Sequence, residues 1–282
     1  MSDILTRWRD ALAEQSPVAM ATEIEGQNVG NKLLVTPEDH EGTVGNEELD
    51  RAVVEAARGM LEGGRTGVRR YGPRGQRRME DVAVFIQSFA PPPRMYVFGA
   101  IDFASAVARI GKHMGYRVTV CDARAVFATR ERFPTADEVV VAWPDEFLKT
   151  AEVDGRTVIC VLTHDPKFDV PVLKAALKTP AGYIGAMGSR RTHNNRTTRL
   201  REEGVTDEEL SRISSPVGLD IGARTPEETA VAIAAEIIAL STGHSGGRLS
   251  ERSGPIHAPE PDTAPSPDAE DVKRGAAAAR EG

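Results

Sequence analysis

Apolar and polar positions change rhythm once along the chain, at the run Ala90-Pro91-Pro92-Pro93. Before it the signals are mixed. Ile4, Leu5, Trp8 and Leu12 recur at helical spacing and predict an amphipathic helix over residues 2–15. Val18 to Ile24 and Lys32 to Thr36 read as strands around a Gly/Asn turn, and Gly42 to Gly45 forms a second glycine-punctuated segment. Asn46 stands where it can cap a helix with Leu49, Val53, Ala56, Ala57 and Met60 on one face, ended by Gly63-Gly64. Val82 to Phe89 has strand composition. Residues 1–90 therefore read as a small α+β domain. Residues 91–94 read as a stiff linker, because a proline run cannot enter a sheet interior.

Beyond the prolines, short continuous apolar runs alternate with helical patterns. Met95 to Phe98 ends at Gly99, Val118 to Cys121 at Asp122, Thr157 to Leu162 at Thr163-His164-Asp165, and Tyr183 to Met187 at Gly188. Glu138 to Ala142 is a further strand. Phe103 to Met114 and Val170 to Leu177 have helical spacing, the latter opened by Asp169 and Pro171. Thr206-Asp207-Glu208-Glu209 and Thr225-Pro226-Glu227-Glu228 are capping boxes, and the second opens Ala230 to Leu240, which is apolar nearly all round and expected to be buried. Strands without alternation mean a parallel sheet covered on both faces. The fold class is α/β: a Rossmann-like doubly wound parallel sheet over residues 95–241 with a smaller N-terminal α+β domain. Residues 242–282 are Gly, Pro, Ser, charge and alanine, and are expected to be a disordered tail.

Composition narrows the function. A formal charge of −7 argues against general nucleic-acid binding. Cys121 and Cys160, the 2 cysteines, lie in apolar runs, form no zinc spacing, and fit a reduced cytoplasm. The first residues lack an apolar signal core, and no run is long enough for a membrane span.

In an open parallel sheet, ligands bind beyond the carboxyl ends of the strands. That rule selects Gly99 to Asp102, Asp122 to Arg124, Thr163 to Asp165 and Gly188 to Arg191. Gly99-Ala100-Ile101-Asp102-Phe103-Ala104 has the spacing of the dinucleotide fingerprint, with Ile101 in place of the second glycine. A β-branched side chain there should obstruct a pyrophosphate or move it, and Asp102 could cap the helix in its stead. Asp122 stands where a ribose-binding acid is expected, and Arg124 could meet a phosphate. His164 could serve as acid/base, as a metal ligand with Asp165, or as an anion contact; a simple Asp-Pro turn explains the same residues. Gly188, Ser189, Arg190 and Arg191 open a helix and suit an anion, although exposed arginines at that end otherwise oppose the helix dipole. The loop Gly218 to Arg224 either closes over the crevice with Arg224 inward or only returns the chain.

These segments, in order, resemble the XdhC/CoxI family of accessory proteins. The resemblance rests on Val97-Phe98-Gly99-Ala100, Arg117 to Val120 with Asp122, Arg132-Phe133-Pro134 with Ala136-Asp137-Glu138, and Leu162 to Asp165. It continues through Tyr183-Ile184-Gly185, Gly188 to Arg191, Pro216 to Ala223 and Thr225 to Glu228. It is collinear over about residues 95–240 and looser over 17–90. It implies a carrier that binds molybdenum cofactor (molybdopterin), supports its sulfuration and delivers it to the large subunit of a xanthine dehydrogenase or CO dehydrogenase type molybdenum hydroxylase. A cysteine desulfurase and a second copy of the chain, as a homodimer, are further candidate partners. Many members carry a Gly-Gly-Cys motif where this chain has Gly42-Thr43-Val44-Gly45-Asn46-Glu47-Glu48, without cysteine, and a histidine where it has Asp102. Two other readings stay open at this point: an NAD(P)-dependent oxidoreductase, and a degenerate member that only binds a partner.

Overall fold

A computed structural model describes residues 2–253, apart from Arg77, Arg78 and His164. The chain divides into one compact unit running to Pro91 and a second, Pro92–Glu251.

The first unit contains α1 (Ser2–Ala13), β1 (Val18–Glu25), β2 (Lys32–Val35), β3 (His40–Gly42), α2 (Glu47–Glu62), β4 (Gly67–Tyr71) and β5 (Val82–Phe89). Its sheet is antiparallel, in the order β3-β2-β1-β5-β4. Successive side chains of a strand face opposite sides, and here both sides are covered. Ala19, Ala21, Leu33 and Val35 join the apolar layer under α2, while Val18, Met20 and Leu34 pack with Ile4 and Trp8 of α1. The Asn46 side chain accepts the Leu49 N–H, as its position predicts, and caps α2. The strands β3 and β4 lack a sequence signal: one is three residues long, and the other carries Arg69-Arg70.

The second unit contains β6 (Arg94–Phe98), α3 (Asp102–His113), β7 (Arg117–Asp122), β8 (Glu138–Val141), α4 (Pro144–Leu148), β9 (Val158–Val161), α5 (Pro166–Leu177), β10 (Tyr183–Ala186), α6 (Arg190–Glu202), α7 (Asp207–Leu210), β11 (Ile213–Ser214) and α8 (Pro226–Thr242). All six strands are parallel, in the order β11-β10-β9-β6-β7-β8. The chain thus runs outward from β6 through β7 to β8, then restarts on the other side at β9. This is the doubly wound order, and its switch point lies between β6 and β9. Met95 and Val97 face the layer shared by α3 and α8; Tyr96 and Phe98 face the layer of α4, α5 and α6.

Two expectations need correction. Helix α5 begins at Pro166, not beside Val170, because Asp165 caps it through the Lys167 N–H and Pro166 takes the first turn; Asp169 is therefore a buried residue inside the helix. Helix α8 is not buried all round. Ala230, Ile233 and Ile237 face the core, whereas Val231, Ile238 and Leu240 are each half exposed or more. Its capping box forms, and so does the one at Thr206. Of the expected tail, residues after α8 turn at Gly243, whose φ of 70° is left-handed, and include a short 3-10 turn at Leu249–Glu251. From Gly254 the expectation falls outside the described residues.

Candidate functional site

The parallel sheet brings the carboxyl ends of β6, β7, β9 and β10 to one edge. Gly99 follows β6 with φ of 100°, a conformation that side-chain-bearing residues avoid. A Cβ there would lie 2.6 Å from Thr163 Cγ2, so glycine allows the β6 and β9 ends to touch. The Gly99 N–H donates to the Cys121 carbonyl of β7, and the Met187 N–H after β10 donates to Val161 of β9.

Asp122 closes the end of β7. It is buried, and its carboxylate accepts the Ala100 N–H at 2.8 Å, the Arg124 N–H at 2.9 Å and two arms of the Arg124 guanidinium at 2.9 and 2.8 Å. Burial alone would raise its pKa, but the Arg124 fork and the two backbone donors outweigh that and hold the carboxyl below its ordinary value. The two residues expected to meet ribose and phosphate therefore satisfy each other. Ile101 is the N-cap residue of α3 but supplies no side-chain cap; it packs against the layer beneath α3 and α8. Asp102 does not cap the helix as expected. It lies one position inside, is exposed, and pairs with Arg132 at 3.4 Å, because the extended Ile101 already forms the helix boundary.

Asp165 caps α5 and so has a structural partner in the Lys167 N–H. No group of three or more His, Cys, Asp or Glu that could hold a metal occurs among the described residues. His164 lies outside them. Ser189 caps α6 by accepting the Thr192 N–H, and Gly188 has φ of 149°. Arg190 and Arg191 are exposed, and α6 has no acid in its first turn. Among the described residues neither arginine forms an ion pair, in contrast to Arg124. Arg224 is exposed as well, and its loop is anchored from behind: the Gly218 N–H donates to Glu236 at 3.0 Å, and Glu236 also accepts the Tyr183 hydroxyl at 2.5 Å.

Two groups at this edge escape a reading of the sequence. The first is a buried polar cluster under the α6 turn. The Thr163 hydroxyl donates to Asp169, and Arg196 donates to Asp169 and to the Met187 carbonyl, each at 2.7 Å, and to Ser215 at 3.2 Å. It ties β9, α5, the β10 end and α6 together. The second is a ladder of rings and cations. The Arg124 guanidinium lies 4.5 Å from the Phe127 ring centre and 5.7 Å from that of Phe168; Phe168 stacks on Trp143 at 5.1 Å; Lys167 lies 5.2 Å above Trp143. Trp143, next to Pro144 after β8 in a chain poor in aromatics, is the one sequence signal for it.

Cys121 and Cys160 are buried, and burial pushes both thiols up to about 12. No helix among the described residues is long and apolar enough to cross a membrane.

Known proteins resemble the chain along most of its length. A family model described as the XdhC Rossmann domain matches residues 95–237, and one described as the XdhC and CoxI family matches residues 11–72. A protein of Bacillus subtilis named as a probable xanthine dehydrogenase subunit is 36% identical over 55% of this chain and 45% of its own length. The molybdenum cofactor insertion chaperone PaoD of Escherichia coli is 30% identical over 55% of this chain and 42% of its own length. The uncharacterized protein YqeB of Escherichia coli is 29% identical over 76% and 41%. The chain thus spans less than half the length of these curated relatives. A crystal structure described as a xanthine dehydrogenase from Bacillus halodurans superposes with a TM-score of 0.59 and 24% identity, over 84% of this chain and 65% of that one, which supports the fold.

Proposed function

The chain belongs to the XdhC and CoxI family, and on that premise we propose that it binds molybdenum cofactor at the carboxyl edge of its parallel sheet and assists its insertion into a molybdenum hydroxylase of xanthine dehydrogenase or CO dehydrogenase type. The observation that carries the reading is the turn from Gly188 to Arg191. There an α-helix presents its first N–H groups beside two exposed arginines that no acid among the described residues neutralises. Such a terminus favours an anion, and the cofactor, here a cargo, brings a phosphate. In this reading Ser189, Arg190 and Arg191 hold the phosphate, and Gly99, Ala100, Ile101 and Thr163 form the floor between β6 and β9. Asp102, Asp122, Arg124 and Asp165 border the crevice, with Asp122 and Arg124 keeping its wall in shape.

The fuller proposal includes sulfuration of the cofactor with sulfur from a cysteine desulfurase, and a homodimer working in the cytoplasm. NAD(P) is the less favoured ligand: Ile101 stands where a glycine is wanted, and Asp122 already has its donors. Calorimetry with NADP+ is expected to show no binding.

Mass spectrometry of small molecules released from the purified full chain tests the main claim. Molybdopterin or its nucleotide form is expected, and the hydroxylase should lose activity when the chain is deleted. A chain that releases no cofactor and whose deletion leaves the hydroxylase active would overturn the reading.

A further inference from the structure

Between α5 and α6 lies a cleft of about 230 Å³ lined by Pro166, Asp169, Val170, Arg191, Thr192, Asn195, Arg196 and Arg199. It opens into a wider trough running along the two helices to Glu202 and Glu203. The lining of the cleft carries three arginines against one aspartate, and that aspartate is already bound to Arg196. Arg191 and Arg199 form no ion pair with any described residue, whereas Arg201, two positions from Arg199, pairs with Asp207. The far end of the trough has the opposite character, since Glu202 and Glu203 lie there and Glu203 is held by Lys174. Of the cleft's arginines, Arg191 lies in the first turn of α6 and Arg199 in its last, while the facing wall at Pro166 and Asp169 belongs to the first turn of α5, where the backbone dipole favours an anion.

A second observation points the same way. Arg196 is 4% exposed, and its Nε–H is buried without an acceptor among the described residues. A buried donor left unmatched carries a standing cost, and native structures rarely tolerate one without a reason. Asn195 and Thr192 add neutral donors on the same wall.

We propose that this cleft is a phosphoryl-binding subsite, in which Arg199 and Arg191 meet the oxyanion and Arg196 positions them from beneath. It deepens the function proposed above, and rests on it for the source of the phosphoryl group. It also places the anion on the β9–β10 side of the edge, away from the Gly99 turn where a dinucleotide would put it.

The test is calorimetric titration of the full chain at constant ionic strength with inorganic phosphate and, separately, with ribose 5-phosphate. Saturable binding is expected, weakened roughly tenfold or more in Arg199→Ala, as loss of a charge-assisted bond implies. Arg199→Lys should recover part of the loss, and Arg201→Ala, outside the cleft and paired with Asp207, should lose much less. Tighter binding of the ester than of the free ion would assign the subsite to a phosphorylated ligand; equal binding would assign it to the oxyanion alone. No saturable binding, or equal affinity in Arg199→Ala and the parent chain, would overturn the assignment. Cofactor retained without phosphate binding would sink the subsite and leave the proposed function standing; phosphate bound in a chain that never retains cofactor would do the reverse.

Discussion

The turns after β6 and β10 occupy equivalent places in the sheet and are finished in opposite ways. After β6, every charge has an internal answer: Asp122 takes Ala100 and Arg124, and Asp102 takes Arg132. After β10, Ser189 answers a single N–H, and Arg190 and Arg191 face solvent at the wrong end of the helix dipole. A fold makes the first kind of turn for its own stability. The second kind opposes the helix dipole, and the function proposed above assigns its arginines to an anion from outside the chain.

Substitutions can break or sharpen this contrast. The largest effect is expected beneath the open turn. Arg196→Met leaves Asp169 buried without its cation, and the cost should be about 3–5 kcal/mol in urea unfolding. Next comes the closed turn itself. Asp122→Asn removes the charge from a carboxylate that accepts four hydrogen bonds and should cost about 2–3 kcal/mol near neutral pH. Because the folded pKa of Asp122 is lowered, its contribution is complete above the ordinary aspartate range and fades as pH falls through the lowered value. The gap between variant and parent should therefore close below about pH 4. Gly99→Ala should cost about 1–2 kcal/mol, from the positive φ and from the crowding of Thr163. Arg190→Ala should stay within about 0.5 kcal/mol and lean toward stabilisation, because it removes a charge that opposes the helix dipole. If Arg190→Ala instead proves as costly as Asp122→Asn, the contrast between the turns fails.

Much of this was legible in the sequence because it depends on local pattern. The apolar runs of β6, β7, β9 and β10 announce a covered parallel sheet, and Asn46, Thr206 and Thr225 announce helix starts. The turn residues were legible as a set, since the edge follows from the topology alone. Their individual roles were not. That Asp122 and Arg124 satisfy one another depends on a side-chain conformation, and that Asp102 points away from the first turn depends on where Ile101 ends the extended backbone. Asp169 and Arg196 were invisible because each looks like an ordinary polar residue on a helix. They meet only when α5 and α6 lie side by side, 27 positions apart in the chain. Trp143 and Phe168 are likewise distant in sequence and stack only across the edge.

The burial of both cysteines has a consequence for sulfur traffic. A thiol held near 12 is almost wholly protonated at neutral pH, and neither Cys121 nor Cys160 reaches solvent. If, as proposed, sulfur is installed on a cargo that this polypeptide carries, neither buried thiol is placed to hold it as a persulfide, and direct passage from donor to cargo is expected. A chase with labelled sulfur should leave the chain itself unlabelled at every time point.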